Sequence, residues 1–411
     1  MIGTPQQRPP SYDKAVALVL QGGGALGSYQ AGVYEALSHS AYLPDWVAGI
    51  SIGAINAAII VGNPPEQRVD QLRGFWESVT EPTAAWPDGL DGVLATWQQQ
   101  ASAQSALLFG QPGFFKPRAA HEWFLNPAPL SYYNTDALKG TLERFVDFER
   151  INHSSETRFS VGAVNVRTGR FAYFDNRQVV IRPEHVMASG ALPPGFPPVE
   201  IDGEFYWDGG LVSNTPMEYV LDHYPRESRL TFQIDVFQGF GQIPVTLEQV
   251  NEREKDIRYS SRTRASTTAF AHKHEVRFAI EELLKLLPED IAQSEQAKRL
   301  ESFSCVTEMD IVQLIYRPFS PQGASKDFEF SRSTMNARWA QGLSDTNLTL
   351  QASPWLKPAP THLGVRLFDV IHDQLIAQNK SKRKDAADWP DSSAAAVAEG
   401  TACSFHGQTR L

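Results

Sequence analysis

The sequence predicts an α/β fold around a mostly parallel sheet, and two stretches carry that prediction. Lys14–Leu20 is an apolar run of strand length that enters the glycine-rich Gln21–Gly27, after which Tyr29, Val33 and Leu37 share one helical face. Trp46–Ile50 is a second such run, and it passes through Gly49-Ile-Ser-Ile-Gly53 into a helix of small residues. Strand, helix, strand, helix, with the strands apolar throughout, is the order of parallel strands covered by helices.

The remaining elements follow from the same signals. Residues 1–13 are polar and proline-bearing and read as a flexible arm, without the charged start and apolar stretch of a secretory signal. Asn63-Pro-Pro65 is a turn, and Glu66–Val79 a helix. Residues 81–133 change character, with Trp86, Trp97, Phe109, Phe114, Phe115, Trp123 and Phe124, and form a candidate cap insertion. Thr135–Phe148 reads as a helix, Phe159–Val166 and Arg170–Phe174 as strands joined by a tight turn, and Glu204–Trp207 as a strand ending in Asp208-Gly-Gly210. Ser213-Asn-Thr-Pro216 opens a helix, and Arg229–Phe237 is a further strand.

Beyond that strand the chain turns mainly helical. Residues 247–287 are helix-prone, and Val276, Ile280, Leu283 and Leu287 form a stripe expected to pack on the core. Ile311–Tyr316 reads as a strand, and Ser331–Leu343 and Gly364–Ile376 as helices. From residue 379 onward, basic and then Ala/Ser/Gly-rich sequence reads as a disordered tail.

Composition narrows the function. The 411 residues, 42% hydrophobic and 20% charged, describe a soluble globular protein with a substantial core. A formal net charge of −10 argues against nucleic-acid binding by phosphate neutralisation. Two cysteines, Cys305 and Cys403, support neither a disulfide framework nor a cysteine metal site, and fit a cytoplasmic setting. The apolar run Val47–Gly62 is too short for a membrane span and contains Ser51 and Asn56.

The chemistry converges on Ser51. A serine at a sharp strand-to-helix corner presents its hydroxyl, and its neighbours two before and two after, Gly49 and Gly53, lie against backbone. The loop Gly22–Gly27 ends the first strand with unshielded amides, Gly22, Gly23, Gly24 and Ala25 being the candidate donors to an oxyanion, with Gly27 shaping the turn. Asp208 ends another strand, with Gly209 and Gly210 letting backbone come close, and its carboxylate can take the serine proton directly.

Three competing readings stay on the table at this point. Gly22, Gly24 and Gly27 also satisfy a dinucleotide-binding pattern, although the second strand ends in Gly49-Ile-Ser rather than in an acidic residue. A triad through His185 or His223 is the second. The third is a catalytically silent lipid-binding protein. His272 and His274, two apart on a helix, make a poor metal pair.

The glycine loop, Gly49-Ile-Ser-Ile-Gly53 and Asp208-Gly-Gly210, in this order, together with Ala188–Val199, resemble the patatin-like phospholipase family. The resemblance covers about residues 14–225. It implies a three-layer α/β fold, a Ser51–Asp208 dyad, no metal or cofactor, and hydrolysis of lipid acyl esters with transient membrane contact. Residues 226–378, with Asp256–Thr263, are similar to a C-terminal extension of bacterial members. Leu26 stands where many members carry Arg or Lys, which leaves a non-phospholipid esterase, a thioesterase or an acyltransferase as alternatives.

Overall fold

A computed structural model describes residues 8–80, 102–124, 129–154, 156–318, 321–359 and 364–385. The arm up to residue 7, the segment 81–101 with Trp86 and Trp97, and the tail from 386 with Cys403 lie outside the described residues.

The two stretches that carried the fold prediction become β1 (Ala15–Leu20) followed by α1 (Gly27–Ser38), and β2 (Trp46–Gly49) followed by α2 (Ile52–Val61). After α3 (Arg68–Ser78) and α4 (Asp136–Phe145) come β3 (Arg158–Asn165), β4 (Phe171–Asp175), α5 (Pro183–Ser189), β5 (Val199–Ile201) and β6 (Glu204–Asp208). Then α6 (Met217–Leu221), β7 (Arg229–Asp235), the long α7 (Leu247–Lys285), β8 (Met309–Ile315), α8 (Arg332–Ala352) and β9 (Val365–Phe368) complete the unit that ends at Asp369. A helix α9, Val370–Asp385, belongs to a second unit and runs through the basic residues read as the start of a tail.

Among the described residues, nine strands make one sheet in the order β9-β8-β7-β1-β2-β3-β6-β5, with β4 also paired to β3. The pairs from β9 through to β3 are parallel, and those joining β3, β4, β5 and β6 are antiparallel. The mostly parallel sheet is therefore present, and three of its strands come from residues 229–368.

Alternation along β1 explains the layers. Val16, Leu18 and Leu20 join one buried cluster with α1, α2, α3 and α8, whereas Ala17 and Val19 join another with α6, Phe270 of α7 and the starts of β8 and β9. Both faces are covered, as continuous apolar strands require. α1 and α8 pack backbone to backbone: a Cβ on Gly32 would lie 1.9 Å from the Trp339 carbonyl oxygen, and one on Gly342 2.1 Å from that of Tyr29.

Two expectations need correction here. Gly364–Ile376 is not one helix, because Val365–Phe368 pairs with Met309–Val312 as an edge strand before α9 begins. The apolar stripe at the end of α7 is only partly covered: Val276 and Leu283 are 60% and 54% exposed, whereas Ile280 and Leu287 are half-buried.

Candidate active site

The register of β3 brings the two chemically marked segments together. β3 pairs with β2 from Arg158 to Val161, with β6 from Ala163 to Asn165, and with β4 from Ser160 to Val164. Because β4 overlaps both of the others and a strand has two edges, β2 and β6 share one edge. β2 runs parallel to β3 and β6 antiparallel, so their C-terminal ends meet head-on, Gly49 opposite Val161 and Asp208 opposite Ala163. Only Gly162 separates them. A Cβ on Gly209 would lie 2.7 Å from the Gly162 carbonyl oxygen, so the chain after Asp208 passes directly against β3.

Ser51 occupies the corner between β2 and α2 with φ 55° and ψ −123°, a backbone conformation costly for a residue with a Cβ. The corner is tight: a Cβ on Gly49 would lie 2.2 Å from the Gly53 carbonyl oxygen, and one on Gly53 2.3 Å from that of Leu20. Ser189, at the end of α5, holds the corner in place. The Ser51 amide donates to the Ser189 carbonyl at 3.1 Å and to its Oγ at 3.0 Å, while the Ser189 hydroxyl donates to the Gly162 carbonyl at 2.7 Å. Two residues on, the Ala191 carbonyl accepts the Asp208 amide at 3.0 Å. Ser189–Ala191 thus braces both Ser51 and Asp208.

Asp208 is 2% exposed, and its Oδ1 accepts the Gly210 amide at 2.7 Å. Ser51 and Asp208 line the same cavity, and the serine hydroxyl lies near enough to the carboxylate to favour its charged form. Burial raises the carboxyl to about 7, while the Gly210 amide and the Ser51 hydroxyl pull it back down. A carboxylate at that value can hold or release a proton near neutral pH.

The glycine loop faces the same space but does not offer every amide expected of it. The Gly22 amide already donates to the Asn214 carbonyl at 3.1 Å, and Asn214 Nδ2 returns a bond to the Gly22 carbonyl at 2.9 Å. Gly22 is therefore a clamp and not a free donor. The amides of Gly23, Gly24 and Ala25 meet no acceptor among the described residues. They lie just before the twelve-residue α1, whose N-terminus favours negative charge. A Cβ on Gly27 would lie 2.6 Å from Ile52 Cγ1, so this glycine lets α1 approach α2. Leu26, in place of a cation, is fully buried in the core.

The loop is also covered. Positions for a Cβ on Gly23 and on Gly24 fall 2.3 Å from Val236 Cγ2 and from the Asp327 carbonyl oxygen. Neighbouring chain therefore fills the positions that side chains on Gly23 and Gly24 would need. Ser51, Asp208 and the loop open into a cavity of about 80 Å³ whose walls include Phe114, Phe115 and Phe196. The segment read as a cap thus supplies two of its aromatic rings to the site.

The histidines lie elsewhere. His185 Nδ1 accepts the Arg182 amide at the start of its own helix, and His223 faces Trp46, at the other end of β2 from Ser51. The His274 ring contacts the Thr307 carbonyl, and no metal-binding group of three residues occurs among the described residues. Ser189 and Asn214 escaped the sequence reading because they act through contacts 138 and 192 residues away. Asn214 carried a signal, lying within Ser213-Asn-Thr-Pro216, but that motif reads as a helix cap.

The patatin-like phospholipase family model matches residues 18–221, and a second model, described as patatin phospholipase, matches residues 257–362. The chain belongs to the patatin-like phospholipases. It carries the C-terminal segment that the second model describes. No curated protein matches the chain. Among solved structures, VipD from Legionella pneumophila is similar at 15% identity, over 92% of this chain and 77% of that one, with a TM-score of 0.30. ExoU from Pseudomonas aeruginosa, solved with SpcU, is similar at 16% identity over 61% of this chain and 50% of that one, with a TM-score of 0.28. This patatin-like chain thus aligns with half the length of the second, and its family assignment rests on the two matched segments.

Proposed function

We propose that the chain is a serine acyl hydrolase that cleaves carboxylic esters of lipids through Ser51 and Asp208. The observation that carries the reading is that Ser51, on a strained corner, and the buried carboxylate of Asp208 line one cavity beside the glycine loop, with burial raising that carboxyl to about 7. Asp208 accepts the proton as Ser51 Oγ attacks the carbonyl carbon, and the oxygen of the tetrahedral intermediate turns toward the amides of Gly23, Gly24 and Ala25. Each such donor is worth about 3 kcal/mol when it is aimed at the developing charge. The alcohol leaves with the proton held by Asp208, and a water activated by the same carboxylate then releases the acid from the acyl-enzyme. The reaction needs no metal or cofactor.

Transient contact with a lipid surface fits the rim. The Tyr133 ring, packed against Phe115 and Phe196 of the cavity wall, donates its hydroxyl to the Leu107 carbonyl, and the neighbouring Leu108 and Phe109 are 68% and 76% exposed. No helix among the described residues is long and apolar enough to cross a membrane.

A fluorophosphonate probe tests the chemistry. Wild type should be labelled and should release fatty acid from esters, whereas Ser51→Ala should do neither. Labelling of Ser51→Ala equal to that of wild type, or an inert and well-folded wild type, would refute the reading. Comparing phospholipid vesicles, neutral esters and thioesters then selects the substrate class, because buried Leu26 provides no cation for a phosphate group.

A further inference from the structure

The segment beyond β7 does more than extend the sheet. The turn Lys326–Phe328 rests on the glycine loop, with the Asp327 carbonyl filling the place a Gly24 side chain would need. Charges hold that turn from several sides. Lys326, 2% exposed, places Nζ 2.6 Å from Asp256 and 3.3 Å from Glu252, both on α7. Lys255 Nζ lies 2.7 Å from the Asp327 carboxylate, and Arg338 donates to the Lys326 carbonyl at 3.0 Å. A turn tied to α7 and α8 in this way offers a fixed wall.

The side chains that follow form part of that wall. Phe328 and Phe330 line the cavity with Ser51, and the Phe330 ring meets Phe114 at 6.2 Å and Phe115 at 6.5 Å, near edge-on. A rigid wall of aromatic edges and faces recognises hydrocarbon by burial and by shape, with no polar group to satisfy. We propose that Phe330, with Phe328 beside it, is a specificity-determining residue that limits the length of acyl chain accepted at Ser51. This rests on the acyl-hydrolase reading. It gives the C-terminal segment a part in choosing the substrate.

Each methylene moved from water onto such a wall changes an equilibrium constant about fourfold. Replacing Phe330 by alanine opens room for one or two methylenes, so long chains gain relative to short ones. The test measures kcat/KM of the full chain for p-nitrophenyl esters from acetate to palmitate, which hold the leaving group constant, in wild type, Phe330→Ala and Phe328→Ala. Circular dichroism and melting verify the fold of each variant, and Phe330→Leu stands in for Phe330→Ala if that variant does not fold. The expected result is a rise of about tenfold in the long-to-short ratio for Phe330→Ala, smaller in the same direction for the other variants. An active wild type whose acyl-length profile is unchanged in the folded variants overturns this proposal and leaves the hydrolase reading standing. A wild type inert to every ester and to the fluorophosphonate overturns both.

Discussion

Asp208 and Asp235 end two strands of the same sheet, β6 and β7, and burial raises both carboxyls to about 7. Their surroundings differ. Asp208 faces a serine hydroxyl and a cavity. Asp235 faces Gln233 Nε2 at 2.6 Å and the Thr215 hydroxyl at 3.4 Å, inside a closed polar network. Thr215 contacts Thr263, which accepts from Gln21 Nε2, and Gln21 Oε1 accepts the amides of Val236 and Phe237. That network ties the end of β1, where the glycine loop starts, to β7 and α7. A raised pKa therefore reports burial alone, and chemistry needs in addition a partner that can react and a space for the substrate.

The largest expected effect is on the first aspartate. Asp208→Asn should lower kcat for ester hydrolysis by about 100- to 10,000-fold, the range for losing a general base, measured on a short-chain ester at slightly alkaline pH. Asp235→Asn should stay within about twofold, because its carboxylate meets no reacting atom. Equal losses in the two variants would break the comparison and make the buried network part of the reaction.

The pH profile sharpens it. Asp208 must be ionised to accept the serine proton, so kcat/KM should fall about tenfold per pH unit below an apparent pKa of about 7. Asp235→Asn should keep that acidic limb. A limb that disappears in Asp235→Asn would mean that the second carboxyl, not the first, governs the rate.

The parts of the site legible in the sequence are those whose geometry is local. Gly49-Ile-Ser-Ile-Gly53 encodes its own corner, since both glycines are needed within five residues of chain, and Asp208-Gly-Gly210 encodes the close passage that follows a strand end. The head-on meeting of β2 and β6 was not legible, because it depends on which edge of β3 each strand takes. The role of Gly22 misled for a related reason: an amide in a glycine loop looks free until a residue 192 positions away accepts its hydrogen bond. Val365–Phe368 is a four-residue edge strand directly followed by a helix, so helical periodicity runs across the boundary. The α7 stripe has helical spacing, but spacing records only that a helix has an apolar side, not that anything covers it.

Ser189 provides a smaller effect on the Asp208 side. Removing its hydroxyl in Ser189→Ala leaves the carbonyl bond to the Ser51 amide intact but leaves the Gly162 carbonyl without that donor and loosens the strained corner. A fall of about fivefold in kcat with little change in KM is expected, as for an interaction worth ~1 kcal/mol that positions the nucleophile without touching substrate. A change confined to KM would place Ser189 in substrate binding instead.

The last effect concerns stability rather than rate, and it falls on Asp235. Its carboxyl titrates near 3.8 when exposed and about 7 when folded, so between those values the folded state binds the extra proton. Stability from this group is greatest below pH 3.8, declines as pH rises through the window, and levels off above about 7. Asparagine keeps the shape without the charge: its carbonyl oxygen can accept from Gln233, and its amide can donate to the Thr215 oxygen. The melting-temperature difference between Asp235→Asn and wild type should therefore climb with pH across that window and then stay constant. The slope isolates the buried charge from any change in packing, which would shift the difference equally at every pH. A difference independent of pH would mean that Gln233 and Thr215 offset the burial of Asp235, and the likeness between the two aspartates would then end at their position on the strands.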